Sequence, residues 1–106
     1  MELNVPLKFR KDIEIASNLL KNEGCQSVYL FGSMVTGKIH QNSDIDIGIK
    51  GLPPEKFFRV YAKLDNNVSN NVDLVDFDEN SQFYNLLNSL GEVMEIGQRN
   101  DSENFI

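Results

Sequence analysis

Two aspartates with one residue between them are the clearest chemical signal in this sequence. Asp44 and Asp46 belong to the alternating segment Asp-Ile-Asp-Ile-Gly-Ile, which has the two-residue period of a β-strand. On a strand both carboxylates lie on one face, about 6.6 Å apart, and the isoleucines occupy the other face. Two carboxylates this close repel each other unless cations lie between them, and such oxygen ligands suit Mg²⁺ or Mn²⁺. The spacing therefore predicts a divalent-metal site.

A third aspartate lies in a later apolar segment. Asp73 falls within Val-Asp-Leu-Val, where an unpaired charge is costly. Asp76 has the opposite parity on the same strand, so the two carboxylates cannot face one site, and Asp76 is expected to be solvated near the strand end. We therefore predict that Asp73 shares the metal site and accepts the proton of an attacking hydroxyl.

A glycine–serine turn precedes the paired aspartates. Gly32 and Ser33 follow the strand-like segment Ser-Val-Tyr-Leu-Phe and open a stretch that can hold one helical turn. Glycine lets a ligand approach the backbone closely, the start of the turn presents N–H groups, and the serine hydroxyl can donate one more hydrogen bond. Alone, each motif is usually an ordinary turn or a solvated strand face. Together with Asp73 they predict a phosphate cradle beside a metal site.

The composition limits the classes of protein that fit. The chain has 106 residues and a formal net charge of −6, which argues against a general nucleic-acid binder. Its single cysteine, Cys25, cannot form an internal disulfide. No apolar run has the length of a membrane span, and the first residues do not resemble a signal peptide. These features predict a cytoplasmic protein that binds neither membranes nor nucleic acid directly.

Hydrophobic periodicity predicts the elements that carry these residues. Apolar residues at helical spacing indicate a helix over 7–22, another that begins near Pro54, and a last one that ends near Gly91. In the last helix four apolar residues are expected to point inward: Phe83, Leu86, Leu87 and Leu90. β-Branched and aromatic segments predict strands over 27–31, 44–49, 72–77 and 92–96. This order predicts a small sheet covered by helices.

The motifs resemble the nucleotidyltransferase superfamily of DNA polymerase β. Its pattern is Gly-Ser, a loop, Asp-x-Asp on a strand and a third acidic residue on another strand, here Gly32-Ser33, Asp44-Ile45-Asp46 and Asp73. The small chain is most similar to the minimal nucleotidyltransferases, which include the MntA-like antitoxins. The resemblance implies an α+β fold (two-layer α/β), the polymerase β-like nucleotidyltransferase fold, in which a small mixed β-sheet has helices on one side. Residues 1–97 would form this single domain, and 98–106 a flexible tail whose Phe105-Ile106 end would suit an anchor on a partner.

The resemblance also implies a reaction. Such enzymes transfer AMP from ATP to a hydroxyl and release pyrophosphate, with Mg²⁺ or Mn²⁺ as cofactor. Carried over by position, Gly32, Ser33 and Lys38 would bind the nucleotide. The metal ligands would be Asp44, Asp46 and Asp73, and Asp73 would also activate the acceptor.

A partner follows from the same resemblance. Many minimal members are antitoxins whose partner is a helical ribonuclease toxin of the HEPN type, and some attach AMP to a tyrosine of that toxin. Relatives that modify antibiotics or extend RNA generally carry an additional acceptor-binding domain, so here the acceptor is expected to come from another chain.

One departure from the family leaves an alternative open. Family members often carry arginines in the loop, whereas residues 34–42 contain Lys38 and His40 but no arginine. Fewer positive charges mean weaker neutralisation of the triphosphate. The alternative is an antitoxin of low or no activity that neutralises the toxin by stoichiometric binding.

Overall fold

The computed structural model describes residues 5–97, and the predicted tail over 98–106 lies outside the described residues. The helices are α1 (Leu7–Asn22), α2 (Ser33–Thr36), α3 (Phe57–Asn67, after a 3₁₀ turn over Pro54–Lys56) and α4 (Ser81–Leu90). The strands are β1 (Ser27–Phe31), β2 (Ile45–Lys50), β3 (Val72–Asp76) and β4 (Val93–Ile96). The predicted order of helices and strands is therefore confirmed. None of the helices within residues 5–97 is long and apolar enough to span a membrane.

The four strands form one mixed sheet in the order β3-β2-β1-β4. β1 pairs antiparallel with both β2 and β4, whereas β2 and β3 are parallel. A parallel pair needs a long crossover connection, and α3 supplies it here. The mixed sheet with its helices confirms the predicted α+β class.

One face of the sheet, here called the core face, packs against α1 and α3. The alternation of β2 puts its three isoleucines on this face, where all are fully buried: Ile45, Ile47 and Ile49. The helices add the apolar positions that share one side of each helix: Phe9, Ile13, Ala16 and Leu20 from α1, and Val60 and Leu64 from α3. Burial of these side chains removes apolar surface from water and so stabilises the domain.

The opposite face, here called the aspartate face, carries Asp46 and is packed with aromatic rings. The Phe77 ring lies 5.5 Å from the ring centres of both Tyr29 and Phe31. A Cβ atom on Gly48 would collide with the Phe77 ring, so glycine at this strand position makes room for the aromatic packing. The rings do not bury Asp46 fully, so its carboxylate keeps part of its surface exposed.

Helix α4 lies on the aspartate face, which corrects the expectation that the helices cover only one side of the sheet. Of its four predicted inward residues only Leu87 is buried, whereas Phe83, Leu86 and Leu90 keep 39%, 55% and 57% of their surface exposed. The inward prediction was therefore wrong for Leu86 and Leu90. The physical reason is that Phe77 and the α4 residue Tyr84, with ring centres 5.1 Å apart, already fill the space above the sheet.

The start of α1 fixes the segments that lead into β2 and β3. The buried Asp12 carboxylate accepts hydrogen bonds from the backbone N–H groups of Ser69 and Asn70, at 3.0 and 2.7 Å. The Lys8 ammonium donates to the carbonyl of Gln41 at 2.9 Å. Because Gln41 precedes β2 and Asn70 precedes β3, these contacts hold the starts of both aspartate-bearing strands.

Candidate functional site

Three predicted aspartates come together at one end of the sheet. The parallel register of β2 and β3 places Asp46 directly opposite Asp73, and neighbouring strands lie about 4.8 Å apart. Asp44 stands immediately before β2 and shares the parity of Asp46. Asp44 and Asp73 are exposed, whereas Asp46 is half-buried. Asp46 has Asp73 as its neighbour on β3 and the aromatic Phe31 as its neighbour on β1.

The electrostatics of Asp46 indicate that the three carboxylates interact. Burial, followed by the negative charges of Asp73 and Asp44, raises the pKa of the Asp46 carboxyl from its ordinary 3.8 to about 6. Each cause disfavours the ionised form, and a nearby cation would reverse the effect. The end of the sheet is therefore an anionic cluster suited to a positively charged ligand.

The donor set fits a metal ion that is shared with a ligand. Carboxylate oxygens are the ligands that Mg²⁺ and Mn²⁺ prefer, and Mg²⁺ is usually held by one or two carboxylates together with substrate phosphates and water. Within residues 5–97, no three His, Cys, Asp or Glu side chains converge closely enough to hold a metal ion by themselves. The arrangement thus suits a site that is completed by phosphate oxygens, not a closed protein cage.

Gly32 brings the backbone after β1 against the Asp46 carboxylate. Its φ of 71° and ψ of −144° are open to glycine but strained for other residues, and a Cβ atom there would overlap the Asp46 carboxylate. The Gly32 carbonyl accepts the N–H groups of Val35 and Thr36 at 3.0 Å, which starts α2 at Ser33. The close approach of Gly32 to Asp46 therefore places the predicted phosphate-binding turn next to the aspartates. The first N–H groups of the helix that begins there have no partner inside the helix.

Lys38 is not fixed against the aspartates. It is exposed in the connection from α2 to β2, and its ammonium makes no hydrogen bond or ion pair with another residue of 5–97. His40 is exposed in the same loop, where its backbone N–H donates to the Ser43 hydroxyl at 2.8 Å. The role of Lys38 in nucleotide binding therefore stays a prediction.

Asp76 has a structural role that the sequence did not indicate. As the parity predicted, it lies on the core face, opposite Ile49. However, it is only 8% exposed, and its carboxylate accepts the backbone N–H of Asp78 at 2.9 Å. The expectation that Asp76 is solvated was wrong, because this hydrogen bond satisfies the carboxylate inside the turn that follows β3.

Two residues that shape the site were missed in the sequence. Asp12 anchors the segment before β3, and its only signal is a carboxylate next to Ile13 on the apolar side of α1. Phe31 lies directly opposite Asp46 across the β1–β2 pair. No local pattern reveals this neighbour, because register depends on which strands pair.

We expect Asp46→Asn to stabilise the metal-free protein at pH 7, with a gain on the order of 1 kcal/mol in free energy of unfolding after allowance for solvent screening. The pKa of Asp46 is about 6 in the folded state against 3.8 ordinarily, so the folded protein binds this proton more tightly. Its ionisation therefore lowers stability as pH rises from about 4 to 6, and the penalty is complete above pH 6.

Chemical denaturation in the presence of a chelator measures this effect. The stability difference between Asp46→Asn and the unsubstituted protein should narrow steadily from pH 7 to pH 4. The exposed α3 residue provides the control Asp65→Asn, for which little change is expected at either pH. A large loss of stability in Asp46→Asn would mean that the carboxylate is needed for folding.

Comparisons with known proteins identify the family of the chain. The chain matches the family model described as "Polymerase beta, Nucleotidyltransferase" over residues 13–98, a range that includes the three aspartates and the Gly32-Ser33 turn. No curated protein matches the chain at a significant level.

Several solved structures are similar to the chain. A toxin–antitoxin structure with AMP-PNP has 29% identity and a TM-score of 0.62, covering 86% of this chain and 75% of that one. A mutant toxin–antitoxin structure that contains MntA has 27% identity and a TM-score of 0.62, covering 85% and 76%. The MntA–HepT toxin–antitoxin structure shares the fold at 24% identity and a TM-score of 0.60, covering 87% and 75%. With the family model matched over most of its length, the chain belongs to the polymerase beta nucleotidyltransferase family.

Proposed function

We propose that this protein transfers AMP from ATP to a hydroxyl of a partner protein and acts as the antitoxin of a toxin–antitoxin pair. The observation that carries the proposal is the register of Asp46 opposite Asp73 beside the Gly32 turn. This arrangement supports binding of Mg²⁺ or Mn²⁺ by Asp44, Asp46 and Asp73 together with the phosphates of a nucleotide.

The side chains have distinct parts in the proposed reaction. The acceptor oxygen attacks the α-phosphorus of ATP, the bond to pyrophosphate breaks, and the acceptor proton passes to the Asp73 carboxylate. Asp73 suits this step because it is exposed on the edge strand β3, where an acceptor can reach it. The backbone at Gly32 and the Ser33 hydroxyl hold the leaving phosphates. Bound divalent cations would supply neutralisation of the negative charge on the phosphate oxygens.

The acceptor is proposed to be a tyrosine of a helical ribonuclease toxin of the HEPN type. Support comes from the similarity to toxin–antitoxin structures, one of which contains AMP-PNP. Use of ATP and the free, unpaired thiol of Cys25 both suit a cytoplasmic location.

The loop before β2 favours a second candidate function. Lys38 is the only Lys or Arg in residues 34–42, and it is exposed. A site with so little positive charge stabilises a departing pyrophosphate poorly. The second candidate is therefore an antitoxin that blocks its toxin by stoichiometric binding.

A labelled-transfer assay distinguishes the two functions. The purified protein would be mixed with Mg²⁺, ATP labelled at the α-phosphate, and the helical toxin of its pair. The enzyme function predicts label on a toxin tyrosine and one pyrophosphate released for each AMP attached. Neutralisation of an unlabelled toxin would instead establish stoichiometric binding.

A further inference from the structure

We propose that Phe83, backed by Phe31, is the surface against which the nucleobase of the bound nucleotide stacks. These two residues are called the aromatic wall below. The inference rests on the proposed function, because it assigns the position of the nucleoside relative to the catalytic aspartates. It adds a residue of α4, an element that carries none of the residues predicted to act in the site.

The sheet order places the aromatic wall beside the aspartates. Asp46 on β2 has Asp73 as its direct neighbour on β3 and Phe31 as its direct neighbour on β1. Residues that lie directly opposite each other share a face of the sheet, so all three side chains project from the aspartate face. The Phe83 ring lies 5.5 Å from the Phe31 ring in an edge-to-face contact at 85°. The wall therefore lies on the side of Asp46 away from Asp73.

The two rings differ in access to solvent. Phe31 is only 7% exposed, whereas Phe83 keeps 39% of its surface exposed. Phe83 also contacts the buried Phe77 ring, with centres 6.2 Å apart. One side of Phe83 is thus held by two buried rings while another remains open to a ligand. A ring that is already fixed loses little conformational freedom when a planar group stacks on it.

The chemistry of the surroundings favours a nucleobase at this position. In the proposed reaction Asp73 receives the acceptor on the β3 side of Asp46, and the Gly32 turn, which directly follows Phe31, holds the phosphates. A nucleoside joined to those phosphates would therefore lie near the aromatic wall. Helix α4 contains no charged residue in a chain of net charge −6, which suits a neutral, planar group. Stacking on an aromatic ring is tolerant of base identity, because every base has a π-face. We expect only modest discrimination among nucleotides.

Calorimetric titration with two probes tests the assignment. In the presence of Mg²⁺, Phe83→Ala should weaken ATP binding about tenfold and leave the affinity for inorganic tripolyphosphate unchanged. Phe83→Tyr keeps the ring and should retain the original ATP affinity, whereas Phe83→Leu keeps an apolar side chain without a π-face and should lose affinity. Circular dichroism and thermal melts would establish that each variant is folded.

Phe58 offers a matched control. It is an exposed phenylalanine, at 81%, that lines a cavity with Asp76 at the opposite end of β3, about 10 Å from Asp73 along the strand. Phe58→Ala should leave both affinities unchanged. Wild-type ATP affinity in both Phe83→Ala and Phe83→Leu would overturn the inference while leaving the proposed function standing. If the unsubstituted protein bound neither ATP nor tripolyphosphate with Mg²⁺, the proposed function would fail, and the inference with it.

Discussion

Asp73→Asn is expected to abolish AMP transfer, with a fall in kcat of roughly 10²–10⁴-fold, the range that general-base catalysis contributes. Asparagine keeps the shape of the side chain but cannot take the acceptor proton or act as an anionic metal ligand. Asp73 is exposed on an edge strand, so the substitution should leave the free energy of unfolding within about 0.5 kcal/mol. Complex formation with the toxin should survive, and toxicity should return.

The labelled-transfer assay and a pull-down of the toxin measure the two effects of Asp73→Asn separately. The control Asp65→Asn removes another exposed carboxylate, from α3, and should keep full transfer. If Asp73→Asn still neutralised the toxin completely and no AMP were found on it, stoichiometric binding would replace the enzyme function.

Gly32→Ala is expected to remove transfer almost completely, by on the order of 100-fold, which is the scale of loss for a displacement of about 1 Å at a reacting centre. The added Cβ would overlap the Asp46 carboxylate, and the positive φ of 71° adds backbone strain. We also expect a loss of about 1–3 kcal/mol in the free energy of unfolding from the strained backbone.

Gly24→Ala separates the effect of backbone strain from the effect of the overlap with the Asp46 carboxylate. Gly24 also has a positive φ, of 109°, but a Cβ atom there would meet nothing within 4 Å. This variant should share the loss of stability in denaturation experiments and keep its transfer activity. If Gly32→Ala folded and transferred AMP at the original rate, the contact between the Gly32 backbone and Asp46 would have no part in the site.

The local features of the site could be predicted from the sequence. The two-residue period of a strand placed Asp44 and Asp46 together, with the isoleucines on the core face, because side-chain direction on a strand depends only on position. The same argument put Asp73 and Asp76 on opposite faces, and the register bears it out. The turn at Gly32 was predictable because glycine has a specific conformational use.

The features that depend on pairing between distant segments could not be predicted. The neighbour of Asp46 on β1 is Phe31, and this contact exists only because β1 pairs antiparallel with β2. Helix α4 was expected on the same side as the other helices, with Leu86 and Leu90 inward. The helix lies on the aspartate face instead, where the Phe77 ring, seated over Gly48, fills the space next to the sheet and both leucines stay exposed.

The most direct measurement of the central claim, that the three aspartates bind nucleotide through divalent cations, is calorimetric titration of ATP with Mg²⁺ and again with a chelator. A chain of net charge −6 with three carboxylates in the site repels a bare triphosphate. One close pair of like charges near a protein surface costs about 4 kcal/mol, so chelation should weaken ATP binding by on the order of 100-fold or more. Equal affinity for ATP with and without the metal would contradict the account.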